Sequence, residues 1–129
     1  MSNLSARKKI LLIDDDEMHL FATEGMLKNE YDITSSKSGK EALELLSLGY
    51  IPDLILLDVL MPDMDGWEAY NRIKGLTSLH KAPIAFVTSI QGEAEEKHAQ
   101  SIGAVDFIPK PFNRNEIKSR IEMLLKKYE

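Results

Sequence analysis

The sequence predicts an α/β fold, a doubly wound five-stranded parallel sheet with five helices. Continuous apolar runs such as KILLID (9–14) and PIAFVT (83–88) have the composition of strands buried on both faces, because a parallel sheet covered on both sides has no solvent face to alternate with. Between the runs lie segments whose apolar residues recur at helical spacing. Strand then helix repeats five times. Such strict alternation leads to parallel strands joined by right-handed crossovers, with helices on both faces of one sheet.

Taken in order, Lys9–Asp14 is the first strand, and Glu17–Asn29 is a helix with Met18, Phe21, Ala22, Met26 and Leu27 as its apolar positions. Asp16 between them reads as a helix cap or turn former. Tyr31–Ser35 alternates Tyr31 and Ile33 with Asp32 and Thr34, as an edge strand would. Ser38 with Glu41 three residues on forms a capping box, and the helix it opens turns Ala42, Leu45 and Leu46 inward before stopping at Gly49. Leu54–Asp58 is the third strand, and Gly66 to about Leu76 a helix with Ala69, Ile73 and Leu76 on one face. Pro83–Thr88 is the fourth strand, Glu93–Ile102 a helix closed by Gly103, and Val105–Ile108 a short fifth strand. Asn113 caps the last helix, which is striped by Ile117, Ile121, Leu124 and Leu125.

A length of 129 residues fits one domain, here residues 8–129 after a loose leader at 1–7. With 16 basic and 21 acidic side chains the formal charge is −5, which argues against direct nucleic-acid binding. The late cluster Lys118, Arg120, Lys126 and Lys127 is interleaved with Glu116, Glu122 and Glu129. Cysteine is absent, so disulfides and thiolate metal sites are excluded. The apolar stretch at 10–13 is too short for a secretion signal or a membrane span, and the chain reads as cytoplasmic, with no membrane partner.

Ligands of open α/β sheets bind at the carboxyl ends of the strands. At that rim the first strand delivers Asp14 and Asp15, the third Asp58 and the fourth Thr88, with Lys110 just after the fifth. If the first and third strands are neighbours, their backbones lie about 5 Å apart and the acids converge. Two such carboxylates repel by roughly 3–4 kcal/mol at an effective dielectric near 20. A hard divalent cation offsets this, and Mg²⁺ favours one or two carboxylates plus waters and a phosphoryl oxygen. A carboxylate beside Mg²⁺, a hydroxyl and an ammonium group is a phosphoryl-transfer site. Singly each member has a plainer role: Thr88-Ser89 as a helix cap, Lys110 as a solvated loop lysine. It is their coincidence at one rim that carries the functional reading.

The motifs ILLIDDD (10–16), DLILLDVLMPDMDG (53–66), VTS (87–89) and FIPKPF (107–112) closely resemble those of response-regulator receiver domains of bacterial two-component signalling, over Lys8–Lys127. The resemblance implies a flavodoxin-like sheet in the order 2-1-3-4-5 and Mg²⁺-dependent acceptance of a phosphoryl group on Asp58 from a sensor histidine kinase or phosphotransfer protein. It also implies Asp15 as direct Mg²⁺ ligand, Asp14 acting through bound water, and the backbone carbonyl of Leu60 completing the set. Thr88 would be the switch hydroxyl, Lys110 the phosphate-pairing lysine, and Phe107 the switch aromatic, where the family often has Tyr. The Lys110-Pro111 bond would be cis. The face made by the fourth helix, fifth strand and fifth helix is where receivers meet partners or each other, a homodimer included. Such a protein catalyses only its own phosphotransfer and autodephosphorylation.

Two departures stand out. Ser89 replaces the usual Ala or Gly after Thr88, and Leu60 and Ile90, which flank the attacking water, are both apolar. Neither can orient water, so a long-lived acyl phosphate is expected. A haloacid-dehalogenase-type phosphatase shares the Asp, Mg²⁺, Thr and Lys chemistry, but Met18 stands where its motif wants Thr or Val, and its late acidic loop and cap domain are missing. A receiver-like binding module that is never phosphorylated is the other alternative. His19, His80 and His98 lack metal spacing to each other or to the acids and read as surface residues, and Trp67 reads as packing on its helix.

Overall fold

The computed structural model describes residues 7–76, 82–90 and 92–128. The chain alternates β1 (Lys9–Ile13), α1 (Glu17–Leu27), β2 (Asp32–Ser36), α2 (Gly39–Ser47), β3 (Leu54–Leu57), α3 (Gly66–Leu76), β4 (Ile84–Thr88), α4 (Glu93–Ile102), β5 (Asp106–Pro109) and α5 (Arg114–Lys127). All neighbouring strands run parallel, in the order β2-β1-β3-β4-β5. The expected fold class and strand order are both borne out.

Because side chains alternate across a strand, each apolar run feeds two cores. Ile10, Leu12, Leu54, Leu56 and Val87 face one side, where Leu20 and Leu27 of α1 and Ile117, Ile121 and Leu124 of α5 cover them. Leu11, Ile13, Ile55, Leu57 and Phe86 face the other, under Ala42 and Leu46 of α2, Ala69, Tyr70 and Ile73 of α3 and Ala99 of α4. β3 pairs on both edges, with Ile13 opposite Leu57 and Leu57 opposite Phe86, so its end is held in register with the ends of its neighbours.

Several local expectations shift. Pairing in β1 and β3 stops one residue earlier than expected, at Ile13 and Leu57, yet Asp14 N–H still donates to Ser36 O at 3.1 Å and Asp58 N–H to Ile13 O at 2.9 Å. The acids are thus still tethered to the sheet by their backbones, with their side chains released from the strand alternation. β2 and β5 each begin one residue later than expected. On α1 the buried face is Leu20, Thr23 and Leu27, whereas Met18 and Phe21 are 82% and 79% exposed. The inward face thus keeps Leu27 and the partly buried Met26 of the expected stripe and replaces Met18 and Phe21 with Leu20 and the polar Thr23. Leu45 is only half-buried, and Leu76 at the end of α3 is exposed.

The caps are mostly as read. Asp16 accepts from the N–H groups of Met18 and His19, and Asn113 closes a reciprocal capping box with Glu116. Ser38 accepts from Glu41 N–H, but the Glu41 carboxylate reaches the N–H of Lys37 instead of Ser38, so that box closes one residue upstream. The Lys110-Pro111 bond is cis. Arg7, assigned to the leader, is tied down by a 3.0 Å bond from its guanidinium to Lys28 O. Residues 1–6 of the leader and His80 lie outside the described residues.

Candidate functional site

The turn after β3 explains the sequence MPDMDG. A Cβ on Gly66 would stand 2.2 Å from Asp58 O and 2.6 Å from Val59 Cα, so α3 can start against the strand end only with glycine there. Gly66 N–H donates to Val59 O at 2.8 Å, the Asp65 side chain caps Glu68 N–H at 2.9 Å, and Asp63 takes a left-handed φ of 66°. This tight return leaves the Asp58 side chain at the rim and Leu60 exposed beside it.

At the rim, Asp14 and Asp58 are both buried and Asp15 is exposed. Lys110 Nζ donates to Asp14 Oδ2 at 2.9 Å and to Asp58 Oδ2 at 3.2 Å. Asp58 Oδ1 also accepts from Leu60 N–H at 3.3 Å, and Asp14 Oδ1 from Asp16 N–H at 3.0 Å. Thr88 is fully buried at the end of β4, where its Oγ1 accepts from Ile90 N–H at 3.2 Å. A backbone bond from Lys110 N–H to Thr88 O, 2.9 Å, ties the lysine loop to the same rim. The structure therefore gathers Asp14, Asp15, Asp58 and Lys110 at one rim and places Thr88 beside them. Phe107 stands on β5 and packs toward Phe86, with ring centroids 6.4 Å apart.

The charges divide unevenly. Burial works against ionised Asp14, but the His19 ring N–H, the Asp16 N–H and the Lys110 ammonium outweigh it and hold its pKa down to about 2. Burial pushes Asp58 up; Lys110 pulls it down and the neighbouring Asp14 charge pushes it up again, and the net shift is upward. Burial works against charged Lys110 as well, but its two carboxylate partners raise its pKa overall. Asp14, Asp15 and Asp58 each offer a carboxylate oxygen, all within 4.8 Å of one another. Three carboxylates against one ammonium leave two negative charges uncompensated, a donor set of hard oxygens that fits a divalent cation such as Mg²⁺.

The sequence predicts a surface position for His19, without metal spacing to the acids. It is instead half-buried, with Nδ1 2.7 Å from Asp14 Oδ2 and its ring edge-on to Phe112 at 5.6 Å. Only its place on the first turn of α1, whose start is fixed by the Asp16 cap, could have signalled this. Behind the acids, Asp14, His19, Thr23, Asp58, Val87 and Phe112 line a cavity of about 20 Å³, and the buried Thr23 hydroxyl has no partner among the described residues. Past Asp58 along the chain, Leu60, Met61, Pro62, Trp67 and Ile90 line a wider, largely apolar hollow. Trp67 packs as expected, 4.7 Å from Phe86, and its ring also meets the exposed His98 at 4.6 Å.

A five-stranded sheet of this order, with an acid cluster, a buried threonine and a bridging lysine at its carboxyl rim, defines a phosphoryl-accepting signalling module. Residues 10–122 match the response regulator receiver domain, and the chain belongs to that family, in the phosphorelay signalling of two-component systems. It is 37% identical over 117 residues to the transcriptional regulatory protein CrdR of Helicobacter pylori, covering 90% of this chain and 54% of that protein. It is 38% identical over 113 residues to a probable cyclic di-GMP phosphodiesterase of Vibrio cholerae, covering 87% of this chain and 25% of that protein. The chain thus spans about half or less of these relatives. A crystal structure of a putative response regulator from Chloroflexus aurantiacus superposes with a TM-score of 0.84 at 29% identity, covering 93% of this chain and 98% of that one. The family match sets aside the dehalogenase-type phosphatase. Receiver domains interact with histidine kinases or phosphotransfer proteins, bind Mg²⁺ at acidic residues, and are in general signalling elements, not enzymes. Among the described residues no helix is long and apolar enough to cross a membrane.

Proposed function

We propose that this receiver accepts a phosphoryl group on Asp58 from a partner's phosphohistidine. The single observation that carries the reading is the Lys110 ammonium shared between buried Asp14 and Asp58 at 2.9 and 3.2 Å, with Asp15 alongside. Asp58 must be ionised to act as nucleophile, and Lys110 opposes the burial that would protonate it. An Asp58 carboxylate oxygen forms a bond to phosphorus as the N–P bond breaks, and the departing imidazole takes a proton from solvent. Asp14, Asp15, Asp58 and the Leu60 carbonyl would hold Mg²⁺, which when bound supplies positive charge to neutralise the transferring group.

Lys110 then pairs with a phosphoryl oxygen. Thr88 Oγ1 accepts from Ile90 N–H, which leaves its own O–H free to donate to a second phosphoryl oxygen. Drawing Thr88 toward the phosphoryl group lets Phe107 bury more fully and biases the α4–β5–α5 face between two conformations. That face is the surface for the downstream partner, or for a homodimer, and not for nucleic acid. Autodephosphorylation is slow because Leu60 and Ile90 offer no polar group to an attacking water. The receiver unit comprises residues 8–129 and works in the cytoplasm. The test is phosphate incorporation from acetyl phosphate or phosphoramidate with Mg²⁺: the parent takes label, Asp58→Asn does not, and label retained in that variant contradicts the assignment.

A further inference from the structure

We propose that His19 is a positioning residue of this site: through Nδ1 it holds the Asp14 carboxylate in place while Lys110 turns from that carboxylate to the incoming phosphoryl oxygens. The inference rests on the function proposed above. Asp14 Oδ2 has two donors, Lys110 Nζ at 2.9 Å and His19 Nδ1 at 2.7 Å. A carboxylate can only accept, so Nδ1 carries the proton, and a neutral imidazole in that tautomer is enough.

The two donors are not equivalent. Lys110 is shared with Asp58 and is the group that phosphorylation would recruit, so of the two bonds to Asp14 Oδ2 its own is the one that phosphoryl oxygens compete for. Among the described residues His19 reaches no other acid. It is fixed from both sides, by the first turn of α1 that Asp16 caps and by Phe112 against its ring. Phe112 lies two residues past Lys110, so the imidazole also spans from α1 to the lysine loop. When Lys110 leaves, Asp14 keeps His19 on Oδ2 and Asp16 N–H on Oδ1, and its oxygens stay aimed into the acid pocket. Partners that orient metal-pocket carboxylates in this way typically affect metal affinity or activity by about 10- to 100-fold.

Two substitutions separate this role from packing. In His19→Asn the side-chain Nδ2 stands the same number of bonds from the backbone as Nδ1 of the imidazole, so the donor survives and the ring is lost. His19→Leu keeps apolar bulk against Phe112 and loses the donor. Mg²⁺ titration is followed at the amide resonance of Leu60, which donates to Asp58. His19→Leu is expected to weaken Mg²⁺ binding about tenfold, with His19→Asn within about twofold of the parent. Labelling by phosphoramidate at saturating Mg²⁺ is expected to slow about tenfold in His19→Leu and to be preserved in His19→Asn. The opposite order, or equal loss in both variants, overturns the proposal. If the parent takes no label on Asp58 the proposed function fails, and the Mg²⁺ titration still decides the role of His19.

Discussion

Lys110 Nζ bridges Asp14 Oδ2 and Asp58 Oδ2 at 2.9 and 3.2 Å, one half-buried ammonium between two buried carboxylates that follow different strands. Removing one partner of such a group leaves uncompensated charge on carboxylates that are nearly buried, at a cost of about 3 kcal/mol or more. Lys110→Met should therefore lower the urea midpoint without changing the slope of the transition, and added Mg²⁺ should restore part of the loss. An unchanged midpoint would show that the bridge does not hold the acids together. Lys110→Ala should further uncouple Asp58 labelling from the change at the α4–β5–α5 face, read by NMR shifts there.

The two acids respond to pH in opposite senses. Asp14, held at about 2 against an ordinary 3.8, contributes stability that is complete above about pH 4 and is lost as pH falls toward 2. Asp58, whose pKa is raised, contributes stability only while protonated and loses it as pH climbs through its folded value. At pH 7 ionised Asp58 therefore weighs against the fold. Asp58→Asn should raise the denaturation midpoint at pH 7 without Mg²⁺. The gain should shrink below about pH 4, where the parent acid is itself neutral. A midpoint lowered by the substitution at pH 7 would contradict the direction of the shift.

Leu60 and Ile90 both line the largely apolar hollow formed with Val59, Met61, Pro62 and Trp67. Once donor is removed, loss of label should be slow in the parent and roughly tenfold or more faster in a Leu60→Asn/Ile90→Glu double variant, which supplies polar groups to a water. A parent half-life of seconds, unchanged in the double variant, would refute the role given to these two residues.

Thr23 presents a buried hydroxyl without a partner among the described residues. Thr23→Val preserves its shape and removes the unpaired group, and should stabilise the protein by about 1 kcal/mol. Urea denaturation of the two proteins side by side decides it, a destabilised valine variant being the adverse result.

The fold was legible because its signals are local and redundant. Runs such as Leu54–Leu57 are apolar throughout, and caps at Asp16, Ser38 and Asn113 mark where helices begin. The gathering of Asp14, Asp58, Thr88 and Lys110 at one rim was legible because each follows or ends a strand, and parallel strands bring their ends together whatever separates them in the chain. Side-chain partnerships on α1 were not. The inward direction of a helix depends on its rotation about its own axis, and Thr23 hid the apolar stripe that would have revealed it. His19 was missed for the same reason: its contact with Asp14 needs both that rotation and the depth at which the helix starts. Phe112 reaches it only through the lysine loop.

The rim groups are scattered along the chain, with Asp14 and Lys110 separated by 96 residues. No fragment that lacks β1, β3, β4 or β5 holds all of them, since the end of β3 is fixed by β1 on one side and by β4 on the other, and the lysine arrives only after β5. Competence to receive a signal is therefore confined to chains that have completed folding. On the proposed function, a partly unfolded copy lacks the assembled rim, and a loss of stability is expected to weaken phosphorylation in proportion to the chains that lose it.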